Sequence, residues 1–138
     1  MVTCHDGWGS GDLLWVFEEF EELLRGDERY AIIIDASGIS TAPDPLQRKI
    51  MAEFEDVHRD ATARVNVGVA TVITSPLVRG VAKAMSWIAR RPAPEAYVGS
   101  THAASTWCLE RLKAENIPIS DEAMAYVYLQ ESKKDVAV

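Results

Sequence analysis

Residues 30–45 read Tyr-Ala-Ile-Ile-Ile-Asp-Ala-Ser-Gly-Ile-Ser-Thr-Ala-Pro-Asp-Pro. The apolar run from Tyr30 to Ile34 ends in Asp35 and has the length and β-branched texture of a buried strand. A loop of small residues follows. Asp44-Pro45 then opens a helix: an aspartate caps free N–H groups, and proline fits the first helical position. Strand, polar loop and helix form the unit of a parallel sheet, whose sites tend to lie beyond the carboxyl ends of the strands. This stretch sets the expectation of an α/β chain and of the edge on which to look.

The unit recurs. Residues 67–74 predict a second buried strand, and Ser75-Pro76 repeats the cap-plus-proline device. The helix at 76–89 is expected to bury Leu77, Val81, Ala84 and Ile88 and to turn Arg79, Lys83 and Ser86 outward. It ends at Arg90-Arg91-Pro92, basic residues where the helix dipole favours them. Residues 95–99 predict a third short strand. Ser100 or Thr101 caps a helix over 102–115 that buries Ala104, Cys108, Leu109 and Leu112. Asn116 and Pro118 end it, and Trp107 lies off its core stripe, placed to pack under the tail. The helix after the first strand spans 45–62, with Leu46, Ile50, Phe54, Val57 and Ala61 on one stripe. Glu55 and Arg59 stand four apart on its outer face, where such pairs stabilise weakly. His58 reads as an edge histidine.

Upstream, Val2 to His5 could form a short strand before a glycine-rich turn at Gly7, Gly9 and Gly11. Residues 12–25 read as a helix capped by Ser10 or Asp12, with Leu13, Val16, Phe17, Phe20, Leu23 and Leu24 on one face. Glu18, Glu19, Glu21 and Glu22 take the other, and Gly26 stops the helix. Trp15 projects among the glutamates. Either it packs on the N-terminal segment near Trp8, or it contacts a partner or second subunit. Residues 120–131 begin Ser-Asp-Glu, a helix start, with Met124, Val127, Tyr128 and Glu131 on one face, although Ala125 to Leu129 would also suit an edge strand. From Lys133 the end is expected to fray. We therefore expect one α/β domain over 1–119, with 120–138 as a C-terminal helix or strand and a frayed tail.

The 138 residues suffice for one core, and 48% hydrophobic with 25% charged residues is ordinary globular composition. A net charge of −7 opposes general binding to nucleic acid or anionic membranes. Cys4 and Cys108 stand in unrelated contexts, as in proteins of reducing compartments. No apolar run is long enough to span a membrane. The N-terminus lacks a basic segment followed by an apolar one, so we expect no secretory signal and a cytoplasmic setting.

Right-handed crossovers make successive strands parallel. Their loops then share one rim, bringing Asp35, Ser37, Ser40 and Thr41 from the first loop and Thr74 and Ser75 from the second. The third contributes Ser100, Thr101 and His102. Arg79, one turn inside its helix, is placed to lean over that rim. Open helix N-termini favour an anion there. The same residues also serve as ordinary helix caps. No Walker loop, Gly-x-Gly-x-x-Gly or Gly-x-Ser-x-Gly occurs. Cys4-His5-Asp6 has no second ligand pair at metal spacing. No nucleophile–base pair, cofactor motif or metal site is read. Arg79, Lys83, Arg90 and Arg91 beside Trp87 make a basic patch, either a solvated face or a dock for an acidic partner face, such as the glutamate-rich first helix of another subunit.

The run Tyr30-Ala-Ile-Ile-Ile-Asp-Ala-Ser-Gly-Ile39, the amphipathic helix after it, Val69-Ala-Thr-Val-Ile-Thr-Ser-Pro-Leu-Val-Arg-Gly80, Glu95-Ala-Tyr-Val and the helix of Ala104 and Trp107 together resemble the STAS superfamily. The likeness is to its SpoIIAA-like (STAS/Sec14-like) branch, covering residues 28–113. It implies a small α/β sandwich, with a central, mostly parallel sheet of about four strands packed by four to five helices. It also implies a non-enzymatic module like the anti-sigma-factor antagonists, which bind a partner kinase or regulator and are switched by serine phosphorylation. Ser37 in Asp35-Ala-Ser-Gly-Ile is the nearest match. In the family the modified serine opens the helix, whereas six residues separate Gly38 from Pro45 here. The Sec14-like side implies instead a lipid or other apolar ligand. Trp15, Trp87, Arg90 and Arg91 are the candidates for protein contacts, including a homodimer.

Overall fold

Each strand of the chain lies beside its predecessor in sequence. In the computed structural model, the backbone is described for residues 1–5, 9–88 and 91–136, and the side chains except at positions 2, 4, 5, 10, 85, 88 and 132–136. The elements are β1 (Val2–His5), α1 (Ser10–Arg25), β2 (Tyr30–Gly38), α2 (Pro45–Val57), α3 (Arg59–Val65) and β3 (Asn66–Val72). They continue with α4 (Pro76–Ile88), β4 (Glu95–Val98), α5 (Thr101–Ala114) and α6 (Asp121–Val136). The sheet runs β1-β2-β3-β4, and each described pairing is parallel. The chain is thus a small α/β fold on a parallel sheet, as residues 30–45 indicate.

The register sorts the side chains into two faces. Ala31 pairs with Gly68, Ile33 with Ala70 and Asp35 with Val72, and Ala70 and Val72 pair in turn with Ala96 and Val98. That face receives α5, whose Ala104 and Cys108 join Ala70 and Val72 in the buried core, with Trp107 packed against them. Trp107 therefore belongs to the core rather than beneath the tail. It reaches in because Gly68 has no side chain: a Cβ there would meet the indole at 2.8 Å. Ile32, Val69 and Glu95 occupy the opposite face, as do Ile34, Thr71 and Tyr97. Right-handed crossovers that always step the same way put α1, α2, α3 and α4 together on this second face.

Several elements depart from their expected bounds or faces. The helix expected at 45–62 is two, broken at His58 (φ −102°, ψ 11°). His58 turns there to Glu21 of α1 at 3.2 Å and to the Phe54 ring at 4.4 Å, while Phe54 stacks on Phe17. Glu21 is thus no outer-face glutamate, and His58 is a bridge between helices. Leu23, Leu46 and Val57, expected in the core, are exposed. Arg59 pairs with Asp56 at 3.1 Å, and Glu55 pairs with Arg91 at 3.2 Å.

Helix α4 is turned about relative to expectation. Among its described side chains the half-buried ones are Arg79, Ala82 and Ser86, whereas Leu77 and Val81 are 78% and 54% exposed and Ala84 is exposed; Ile88, also expected inward, lies outside the described side chains. The cause is the strand beneath: β4 shows Glu95 and Tyr97 to this face, and a polar strand surface selects the polar side of the helix.

At the C-terminus, residues 125–129 are helical, so the edge-strand alternative falls, and the helix continues past Lys133. Ser120 caps it, its Oγ accepting from Ala123 N at 3.2 Å. Ala123, Tyr126, Val127 and Gln130 turn inward, while Met124, Tyr128 and Glu131 are exposed. Asn116, at φ 55°, closes α5 in the left-handed region. Among the described residues, no helix is long and apolar enough to cross a membrane.

Candidate functional site

Because the strands are parallel, their carboxyl ends meet along one edge. Asp35, Val72 and Val98 stand level across β2, β3 and β4, with Thr3 of β1 beside Asp35. Among the described residues, three turns leave this row.

In the first turn, the Asp35 carboxylate accepts from Ser37 N at 3.0 Å and from Ser37 Oγ at 2.6 Å. Ser37 is exposed. It lies within β2, which runs beyond Asp35 because β1 pairs alongside as far as Gly38. The helix start is elsewhere: Asp44 and Gln47 close a reciprocal capping box at 2.8 and 2.9 Å. Ser40 and Thr41 lie exposed in the intervening loop.

In the second turn, Ser75 Oγ accepts from Val78 N at 3.4 Å, and Arg79 Nη1 donates to Ile73 O at 2.6 Å. The guanidinium also covers the third turn, where a Cβ on Gly99 would meet Nη1 at 3.0 Å. Arg79 thus leans over the rim as expected and braces two turns. In the third turn, Ser100 Oγ accepts from Ala103 N at 3.2 Å. Thr101 O accepts from Ser105 Oγ at 2.8 Å. His102 Nδ1 is buried without a hydrogen-bond partner among the described residues.

Ser75, Arg79, Thr101 and His102 therefore gather around the β3 and β4 ends, while Asp35, Ser37, Ser40 and Thr41 occupy the β2 side of the same edge. Asp44, Ser75 and Ser100 act as helix caps.

The protein-contact candidates lie away from this rim. Trp15 is 62% exposed on α1 and Trp87 is 77% exposed on α4. Arg90 lies outside the described residues, as does Trp8, the expected neighbour of Trp15; so do Asp6 and the side chains of Cys4 and His5. Arg91 is no free cation. It bridges Glu95 and Glu55, which hold its proton against the cost of burial. Burial is also the main cause raising the Glu55 carboxyl above its usual range. Tyr97 O–H donates to Glu95 at 3.2 Å, and burial, aided by that carboxylate, pushes the phenol up to about 12.

Arg91, Glu95 and Tyr97 line a cleft of about 440 Å³ between α4 and β4, together with Lys83, Ser86 and Trp87. The cleft was not legible as a site. Lys83, Trp87 and Arg91 of its lining do belong to the basic patch read from the sequence, and the alternation Glu95-Ala96-Tyr97-Val98 adds two polar side chains on one face of β4.

A second cavity, of about 240 Å³, lies between β2, α5 and α6. Ala31, Ile33, Leu109, Leu112 and Val127 line it, with Tyr126 and Cys108. Burial pushes the Cys108 thiol up to about 11, and Sγ faces Ile32 O at 3.6 Å. Cys108 is a packed thiol, as its position on the α5 stripe suggests. Among the described residues, no three His, Cys, Asp or Glu side chains stand where a metal ion would be held.

Compared with protein-family models, with curated proteins and with solved structures, the chain matches none.

Proposed function

We propose that this chain is a non-enzymatic regulatory module of the STAS kind, in the SpoIIAA-like branch, that engages a protein partner through the rim around Ser37. The α/β order with its parallel sheet supports the reading, as does the gathering of small hydroxyl-bearing turns at one edge. The observation that carries it is the exposed Ser37 with its hydroxyl proton held on Asp35 at 2.6 Å. A phosphoryl group on that oxygen removes the donor and adds roughly −1.5 to −2 charges beside a carboxylate. Modification therefore loosens the turn by repulsion instead of ordering it. This differs from a serine at a helix start, where N–H groups welcome phosphate. A reducing, cytoplasmic setting accords with two thiols in unrelated contexts.

The test uses wild type, Ser37→Ala and Ser37→Asp as baits against extract of the source cells. A protein retained by wild type and lost with Ser37→Asp is the expected result. Identical retention by all three baits refutes the assignment of the rim.

The cavity beneath α6 favours a second reading, a carrier of small apolar ligands. Its 240 Å³ lies below the roughly 300–1,000 Å³ of usual ligand sites. A short acyl chain fits, whereas a whole lipid requires α6 to lift. Native mass spectrometry of the purified protein tests this: a bound apolar mass supports it, and a clean apo mass refutes it.

A further inference from the structure

Helix α4 presents its apolar side to solvent and is not free to roll over. Arg79 ties it to the Ile73 carbonyl at 2.6 Å, and Ser86 faces the polar cleft over β4. What remains outside is Leu77, Val78, Val81, Ala84 and Trp87, three of them more than half exposed. Such a continuous apolar stripe marks a contact surface. The helix contains no acidic residue, and its Lys83 has no anionic partner among the described residues.

On the same side of the sheet, α1 offers the complement. Its outward face carries Leu14, Trp15 and Leu23 among Glu18, Glu19 and Glu22, all exposed. None of these glutamates has an ion pair among the described residues.

We propose that two copies of the chain associate through these helices, α4 of each against α1 of the other. Charge selects this pairing. Setting α4 on α4 opposes two Lys83 ammonium groups with no acid between them. Setting α1 on α1 opposes two acidic faces. Only the crossed arrangement meets cation with carboxylates while covering the apolar side chains of both helices. Both helices lie in one layer, so a single two-fold axis makes the contact twice. The interface closes on itself and stops at a dimer.

Sedimentation velocity over a concentration series tests the proposal. Wild type is expected at twice the 15.3 kDa chain mass, and Val81→Glu at one chain mass. Lys83→Glu should weaken association by about tenfold, and adding Glu18→Lys and Glu22→Lys should restore it. Trp15→Glu, on the other helix, is the independent second probe. Circular dichroism confirms that each variant is folded. A wild type that stays monomeric at every concentration overturns the proposal and leaves the stripe to a different protein or to a membrane surface. Dimers indifferent to Val81→Glu and Trp15→Glu overturn it too. A charge reversal that fails to restore association overturns the crossed pairing.

Discussion

Gly68→Ala probes how closely α5 sits on the sheet. The new Cβ would meet the Trp107 ring carbons Cη2 and Cζ3 at 2.8 Å and Arg111 Cγ at 3.3 Å. Real Cβ atoms do not approach so closely, so something must move. The ring is packed against the Ala70, Val72, Ala104 and Cys108 core, and Arg111 is held by Nε donating to Val67 O at 3.1 Å. Neither neighbour swings away freely. Overpacking costs about 1–3 kcal/mol, and restriction of the unfolded chain by alanine returns about 0.4–1 kcal/mol. The net loss is about 1–2 kcal/mol. A chain of 138 residues has an unfolding entropy of about 0.3 kcal/mol/K, so Tm should fall by about 3–7 °C. Calorimetry or thermal circular dichroism reads this directly. Gly80→Ala is the control of opposite sign. Nothing lies within 4 Å of its Cβ position, and a helix interior gains about 0.5–1 kcal/mol from that change. Trp107→Leu in the Gly68→Ala background should recover much of the loss in a double-mutant cycle. Equal melting temperatures for Gly68→Ala and wild type would refute the close approach of α5.

Two further measurements probe caps and charges. Asp44→Ala opens the capping box with Gln47 and should cost about 0.5–2 kcal/mol in urea unfolding, with the m-value unchanged. Tyr97 titrates at about 12 in the folded protein against 10.0 unperturbed. A raised value means that the folded state holds the proton more tightly. Its contribution to stability is therefore complete below pH 10 and is lost as pH rises from there through about 12. Ultraviolet titration should show Tyr97 as the latest tyrosine, behind Tyr30 and Tyr126, which burial also raises. Glu95→Gln should bring Tyr97 earlier by removing the carboxylate, while burial keeps it above its ordinary value.

The helix starts were the most legible feature because they are local. Asp44-Pro45, Ser75-Pro76 and Ser100-Thr101 each pair a cap with a suitable first helical residue, and the strands before them are bounded β-branched runs. Periodicity also found which residues of α4 share a stripe. It does not say which stripe meets the sheet, and Leu77, Val81 and Ala84 went the other way because Glu95 and Tyr97 lie beneath. The Glu21–His58 contact joins residues 37 positions apart, so no window along α2 contains it. The cleft escaped for the same reason: its walls come from α4, the segment at 91–93 and β4. The rim residues were legible as hydroxyl-bearing turns, yet the brace from Arg79 to the β3 carbonyl emerges only once α4 is seated.

Sequential strand order has a consequence for synthesis. Every new strand docks beside the one made just before it, so the sheet grows by accretion at one margin as the nascent chain emerges. Each closure spans a single crossover, which keeps its entropic toll small. Helix α5, emerging after the last strand, bridges β2, β3 and β4 and so acts as the clasp that makes the assembled ribbon cooperative.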